Sequence, residues 1–187
     1  MPQEAEQKTI EQKIEALEKQ VKQLQDQRQD QLSMVVFSND LDKILAALVI
    51  AVGAAAMDTK VKLFFTFWAI SALKDKNKNA GGKKDFKSKM LGAMLPHSIS
   101  NLKLSKLNME GMGAKMIKSI MKKQNVASPE ELLKTAAELG IEICICEMSM
   151  NMMGFKKEEM IDYPNLSYCG VATFLADAGE SSIQLFI

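Results

Sequence analysis

Apolar positions change period along the chain, and the changes mark its parts. Within residues 3–31, Ile10, Ile14, Leu17, Val21 and Leu24 recur at alternating spacings of four and three. That is a coiled-coil seam with Ile10, Leu17 and Leu24 at d and Ile14 and Val21 at a, a pattern that favours a parallel dimer. Arg28 takes the next a position and weakens the end of the seam. A lone helix of this polarity would be marginal in water. Residues 1–32 are therefore expected to form an oligomerisation arm, with residues 33–187 as the globular domain.

Beyond Ser33 the periods alternate. Met34–Phe37 reads as a buried strand, and Ser38, Asn39 and Asp40 offer helix caps before an apolar helix over Leu41–Met57. Val61–Phe67 is a nearly continuous β-branched and aromatic run, as in parallel strands buried on both faces. A short helix is expected over Trp68–Leu73, an exposed loop over Lys74–Lys84 and a helix over Lys84–Leu95 that stops at Pro96. Residues 97–110 look irregular, and Met112–Lys123 looks helical. Ser128-Pro129-Glu130-Glu131 spells a capping box with proline at the first helical position, and Gly140 fits a left-handed cap. Then come a strand over Ile141–Cys146, a helix from about Met148, a turn around Tyr163-Pro164-Asn165, a helix over Gly170–Ala178 and a strand over Ser182–Ile187. Strands alternating with helices predict an α/β fold with a mostly parallel sheet covered on both faces.

Composition narrows the class. The chain has 187 residues, 47% hydrophobic and 25% charged, with a net charge of +1 that names no partner. The N-terminal segment lacks the continuous apolar stretch of a signal peptide. Three cysteines without export features point to free thiols in a reducing, cytoplasmic setting. Cys144 and Cys146 lie about 6.6 Å apart on one strand face, so a bond between them would require the strand to bend. Ile44–Met57 is shorter than the about 20 residues a bilayer requires. It is read as a core helix, with a membrane hairpin formed with Val61–Leu73 as the disfavoured alternative.

The order strand, thiol, helix at Ile141–Met153 is the candidate chemistry. Functional groups in open α/β sheets gather at carboxyl strand ends, where unpaired amides of the next helix favour a thiolate. Cys146 is thus the expected nucleophile, open at the sheet edge. Glu147 beside it would oppose ionisation if its carboxylate were near. Cys144 reads as core, with a resolving role as the alternative, and Cys169 as a loop thiol near the same edge. His97, the only histidine, is a candidate proton donor or thiolate partner. No Cys-x-x-Cys pair occurs, so no thioredoxin-like or zinc site is suggested, and no metal or cofactor is expected.

From Lys74 to Gln124 thirteen lysines face three acidic residues, a local excess of ten positive charges. Lys103 and Lys106 belong to this rim, which would attract an anionic substrate such as thiosulfate or coenzyme A persulfide, or an acidic carrier protein. Nucleic acid is not indicated, because Arg28 is the sole arginine and aromatics are not interleaved with the lysines. Gly111-Met112-Gly113 is too short for a nucleotide fingerprint. The 14 methionines suit adaptable packing or a soft wall around a sulfur atom.

Several segments together resemble the DsrE/DsrF/DsrH-like sulfurtransferase family, in the branch often labelled peroxiredoxin-family or DsrE-like. They are Ser38–Lys43, Phe64–Trp68, Met94-Leu95-Pro96, Met109–Gly113, Cys146-Glu147-Met148-Ser149-Met150 with Met153-Gly154, and Gly170-Val171-Ala172. The resemblance covers residues 33–187 and leaves the coiled-coil arm outside. It implies a doubly wound α/β fold with flavodoxin-like layering, homo-oligomers, and a cysteine carrying sulfane sulfur as a persulfide. By motif that cysteine is Cys146. Asn39, Met148 and Met150 become candidate binding residues, and Ser149 joins His97, Cys144 and Cys169 as candidate auxiliaries. The implied role is a cytoplasmic sulfur relay between rhodanese-like and TusA-like partners. Two other readings compete: a non-catalytic oligomeric module for an apolar or CoA-like ligand, and a thiol redox protein.

Overall fold

The computed structural model describes residues 10, 13–22, 29–78, 95–96 and 98–187. Five parallel strands form one sheet: β1 (Gln29–Val36), β2 (Lys60–Phe65), β3 (Glu142–Cys146), β4 (Leu166–Cys169) and β5 (Ser181–Phe186), in the order β4-β3-β2-β1-β5. The main helices are α1 (Leu41–Ala55), α2 (Met112–Lys123), α3 (Pro129–Glu138), α4 (Glu147–Met152) and α5 (Val171–Glu180). Short 3-10 turns cover Phe67–Leu73, Ile99–Asn101, Met109–Gly111 and Lys157–Glu159. The parallel α/β architecture follows the sequence expectation, and β4 is an additional strand.

The two sheet faces differ in chemistry. Leu32, Met34, Val36, Val61, Leu63, Phe65, Ile143 and Ile145 join α1 and α3 in one apolar core. The alternate residues point to the α5 side, where a buried polar layer forms. Gln31 Nε2 donates to Ser181 Oγ at 2.8 Å and to the Asp177 carbonyl at 3.2 Å, and the Ser33 and Ser181 hydroxyls are 2.7 Å apart. The Lys62 ammonium lies 2.9 Å from Asp177 on α5 and 3.6 Å from Glu142 on β3. Burial alone would lower the pKa of Lys62, but these carboxylates outweigh it and raise it. Among the described residues no buried side-chain nitrogen or oxygen lacks a partner. That matters because each orphan would cost about 1–3 kcal/mol.

The strongest local signals behave as read. Ser128 caps α3 with the reciprocal Glu131 capping box and Pro129 in the first turn, and Gly140 adopts a left-handed φ of 75°. The first strand begins at Gln29, earlier than the expected Met34, because Gln31 finds its polar partners beneath α5. The expected helix over Lys84–Leu95 falls mostly outside the described residues. Val61–Phe65 runs through the sheet centre, which removes the membrane-hairpin alternative, and among the described residues no helix is long and apolar enough to cross a membrane. Residues 13–22 are helical, and Ile14, Leu17 and Val21 are exposed. Leu24 and Arg28 of the expected seam lie outside the described residues.

The segment 98–111 is tied to the start of α1. Leu41 N–H donates to the Lys103 carbonyl at 2.7 Å, and the Ser105 amide and hydroxyl donate to the Asp42 carboxylate at 2.9 and 2.6 Å. Gly113 permits close packing of α2 on this segment, because a Cβ there would overlap the Leu107 carbonyl. Gly53 on exposed α1 surface has open space around the same position. Gly113→Ala is expected to destabilise the domain by about 1–3 kcal/mol through overpacking, whereas Gly53→Ala should stabilise it by about 0.5–1 kcal/mol through helix propensity. Urea denaturation of the two variants checks both signs.

Slight burial would raise the pKa of Asp42, but the Ser105 hydrogen bonds outweigh it and hold its carboxyl below the ordinary value. The tether is thus complete above the ordinary carboxylate range and lost as pH falls through the depressed folded value. Ser105 amide protection from hydrogen exchange, corrected for intrinsic rate, should fall with that titration. In Asp42→Asn the pH step should disappear.

Candidate functional site

The alternation in β3 sets the site. Ile143 and Ile145 enter the α1/α3 core, which turns Glu142, Cys144 and Cys146 toward the α5 side. Cys146 ends the strand and serves as the N-cap residue of α4, as the strand–thiol–helix order predicts. Its surroundings differ from expectation. The residue is 0% exposed, and its sulfur makes no capping hydrogen bond to the first turn of α4. The expected open edge position is therefore corrected to a covered one. β3 lies inside the sheet between β2 and β4, and the six-residue α4 that follows packs against the 3-10 turn Phe67–Leu73 with Ser149 and Met150 buried. Glu147 is held by Lys157, with Nζ to Oε1 at 3.0 Å, and the same ammonium lies 4.4 Å from the Tyr168 ring centre.

Cys144 and Cys169 are bonded to each other, which corrects the expectation of three free thiols. The β3–β4 register explains the pairing. Cys146 stands opposite Cys169 and Cys144 opposite Ser167, so Cys169 is one diagonal step from Cys144. Their Cα atoms are 6.1 Å apart, within the span that disulfides bridge. Cys146 is the free cysteine. Cys169 is the last residue of a strand rather than a loop residue.

The other candidates divide. The Ser149 hydroxyl is buried 2.9 Å from that of Thr66 at the end of β2, bracing α4 rather than facing solvent. Asn39 Nδ2 donates to Ser71 Oγ at 3.0 Å, and Ser71 donates to the Trp68 carbonyl at 2.8 Å, so Asn39 buttresses the turn after β2. Met150 is core, whereas Met148 is 59% exposed. Lys103 and Lys106 are exposed, and the Lys103 backbone lies at the start of α1. His97 lies outside the described residues. Among the described residues no cluster of histidine, cysteine or acidic groups could hold a metal ion.

Three features escaped the sequence reading. Phe67 adopts a left-handed φ of 47°, a costly conformation for a bulky residue. Its ring lies 5.2 Å from that of Phe37, which is 5.9 Å from that of Phe186. These rings occupy the carboxyl ends of β1 and β5, where strand order reverses and open α/β sheets place their crevice. The third is a cavity of about 140 Å³ on the α5 side, lined by Cys144, Cys169, Lys62, Phe174 and Asp177 among others. A larger cavity, about 750 Å³, lies between α2 and α3 and contains none of the candidate residues.

Comparison with known proteins agrees with the fold. The YrkE protein of Bacillus subtilis, itself uncharacterized, is 45% identical over 155 residues, spanning 83% of this chain and 95% of that protein. The sulfur carrier protein DsrE2 of Allochromatium vinosum is 31% identical over 159 residues, spanning 85% of this chain and 99% of that protein. The crystal structure of the ychN protein from E. coli shares the fold, with a TM-score of 0.51 at 8% identity over 84% of this chain and 98% of that one. The model of the DsrE/DsrF/DrsH-like family matches residues 28–186, and the chain belongs to that family.

Proposed function

We propose that this protein is a cytoplasmic sulfur carrier that holds sulfane sulfur as a persulfide on Cys146. The observation that carries the reading is the position of the one unpaired thiol at the carboxyl end of β3, within a chain related to a sulfur carrier protein along almost that protein's whole length. In the loading step the Cys146 thiolate attacks the outer sulfur of a donor persulfide, and the donor leaves as a thiolate. In unloading, an acceptor thiolate attacks the outer sulfur on Cys146, whose own thiolate leaves. Rhodanese-like and TusA-like proteins are partners suited to these two steps.

Burial gives this carrier a specific requirement. Thiol exchange needs access to the reacting sulfur, and Cys146 is fully covered, so the strand end must open before a donor reaches it. A persulfide formed there is afterwards shielded from solvent and stray thiols. Lys103 and Lys106 add positive charge near the end of β1 that would steer an anionic donor.

Incubation with glutathione persulfide, followed by peptide mass spectrometry, should add one sulfur to Cys146. The addition should be lost in Cys146→Ser. Equal gain in both proteins, or gain in neither, overturns the reading. The complete burial of Cys146 favours one second reading, an oligomeric binding module with an inert thiol. A folded protein whose Cys146 takes up no sulfur from glutathione persulfide supports that alternative, whereas a persulfide confined to Cys146 supports the carrier.

Self-association accompanies the reading. Ile10, Ile14, Leu17 and Val21 are each 50–59% exposed, and apolar Val49 and Ile50 on α1 and Val171 and Leu175 on α5 also face outward. A second copy supplies matching surface for the arm by seam pairing. Deleting residues 1–27 should lower the subunit count seen by light scattering while leaving the domain folded. An unchanged count would remove the proposed role of the arm.

A further inference from the structure

All three cysteines stand on one side of two neighbouring strands. Cys146 is the register partner of Cys169, and Cys169 is bonded to Cys144, two residues back along β3. Neighbouring strands lie about 4.8 Å apart, and disulfides bridge Cα separations of about 4.4–6.8 Å. Cys169 is therefore placed to bond either of the β3 cysteines in turn. We propose that Cys144 and Cys169, when reduced, act as an internal electron source that discharges sulfur held on Cys146 as hydrogen sulfide. This rests on the persulfide reading of Cys146 and adds a second fate for the sulfur.

The chemistry closes within the chain. The Cys169 thiolate attacks the inner sulfur of the Cys146 persulfide, forms a Cys146–Cys169 disulfide and expels hydrosulfide. The Cys144 thiolate then attacks Cys169, forms the Cys144–Cys169 bond and releases the Cys146 thiolate. Two thiols are oxidised to one disulfide, the outer sulfur takes the two electrons, and the two thiol protons convert the cysteine thiolate and hydrosulfide to a thiol and hydrogen sulfide. No outside oxidant enters. The bonded pair in the structure is the product state of this sequence. A cellular dithiol reductant would reset it.

The surroundings suit such a step. Both exchanges are intramolecular, so the burial that obstructs a protein donor does not obstruct them, and fixed neighbours react at high effective concentration. The cavity of about 140 Å³ beside Cys144 and Cys169, lined also by the Lys62, Glu142 and Asp177 ion-pair group, gives a small leaving group a place to go once it is protonated to hydrogen sulfide. The redox state of the pair then selects the outcome. A reduced pair empties Cys146, and an oxidised pair has no thiol to attack and leaves the sulfur available for transfer.

The experiment compares full-length protein with the pair reduced and with the pair oxidised. Each form is loaded anaerobically with glutathione persulfide, freed of excess donor and followed for sulfide and for the mass at each cysteine. The reduced form should release one sulfide per chain and gain the Cys144–Cys169 bond, while the oxidised form keeps its added sulfur. Cys169→Ser should keep the sulfur on Cys146, and Cys144→Ser should stop at a Cys146–Cys169 disulfide. Equal retention in both forms of the wild type overturns the inference and leaves the carrier reading intact. Equal sulfide release from Cys146→Ser also overturns it, since the donor would then be oxidising the pair directly. Failure of the oxidised form to load Cys146 removes both proposals.

Discussion

The domain depends on which way β3 faces. Ile143 and Ile145 seal the α1/α3 core, and their burial fixes Cys144 and Cys146 on the opposite side. A slip of one residue would place both cysteines in the core and expose the isoleucines, at a cost of about 1.5–3 kcal/mol for each large side chain. The thiol geometry is thus held by hydrophobic burial on the face that carries no chemistry. The β3–β4 register extends the same constraint to Cys169.

The two faces reach stability by different means. One is close-packed hydrocarbon under two helices. The other combines the Gln31–Ser33–Ser181 layer, the Lys62 ion pairs, the stacked Phe64 and Phe174 rings and the Cys144–Cys169 bond beneath one helix. The hydrogen bonds and ion pairs among these contacts add little net free energy each. Together with the stacked rings and the disulfide they specify where α5 sits, and hence where the chain leaves Cys169. The strained backbone at Phe67 and the Thr66–Ser149 pair similarly set the path between β2, α4 and the strand ends.

Much of this fold was legible because local and tertiary preferences agree. The capping box at Ser128, the left-handed Gly140 and the alternation through Ile145 each mean the same thing locally and globally. Cys146 was legible for the same reason, as the point where strand period gives way to helix. Its burial was not, because cover at a strand end depends on which elements flank that strand, and β3 is flanked by β2 and β4. The four residues of β4 are too few to show a period, and without that strand the partner of Cys144 could not be read. The polar start of β1 was hidden likewise: Gln29, Asp30 and Gln31 have poor strand propensity, and only the contact with Ser181 and α5 makes Gln31 a buried residue.

The hydrogen-bonded seat of α5 has a mechanical consequence. A helix resting on hydrocarbon can roll a few degrees with little penalty, but rotation here would unseat Gln31 from the Asp177 carbonyl and Lys62 from the Asp177 carboxylate together. The outward row of Val171 and Leu175 is accordingly presented at a fixed azimuth. Whatever meets that row meets a stiff handle whose first residue is two peptide bonds from a sulfur atom in the sheet.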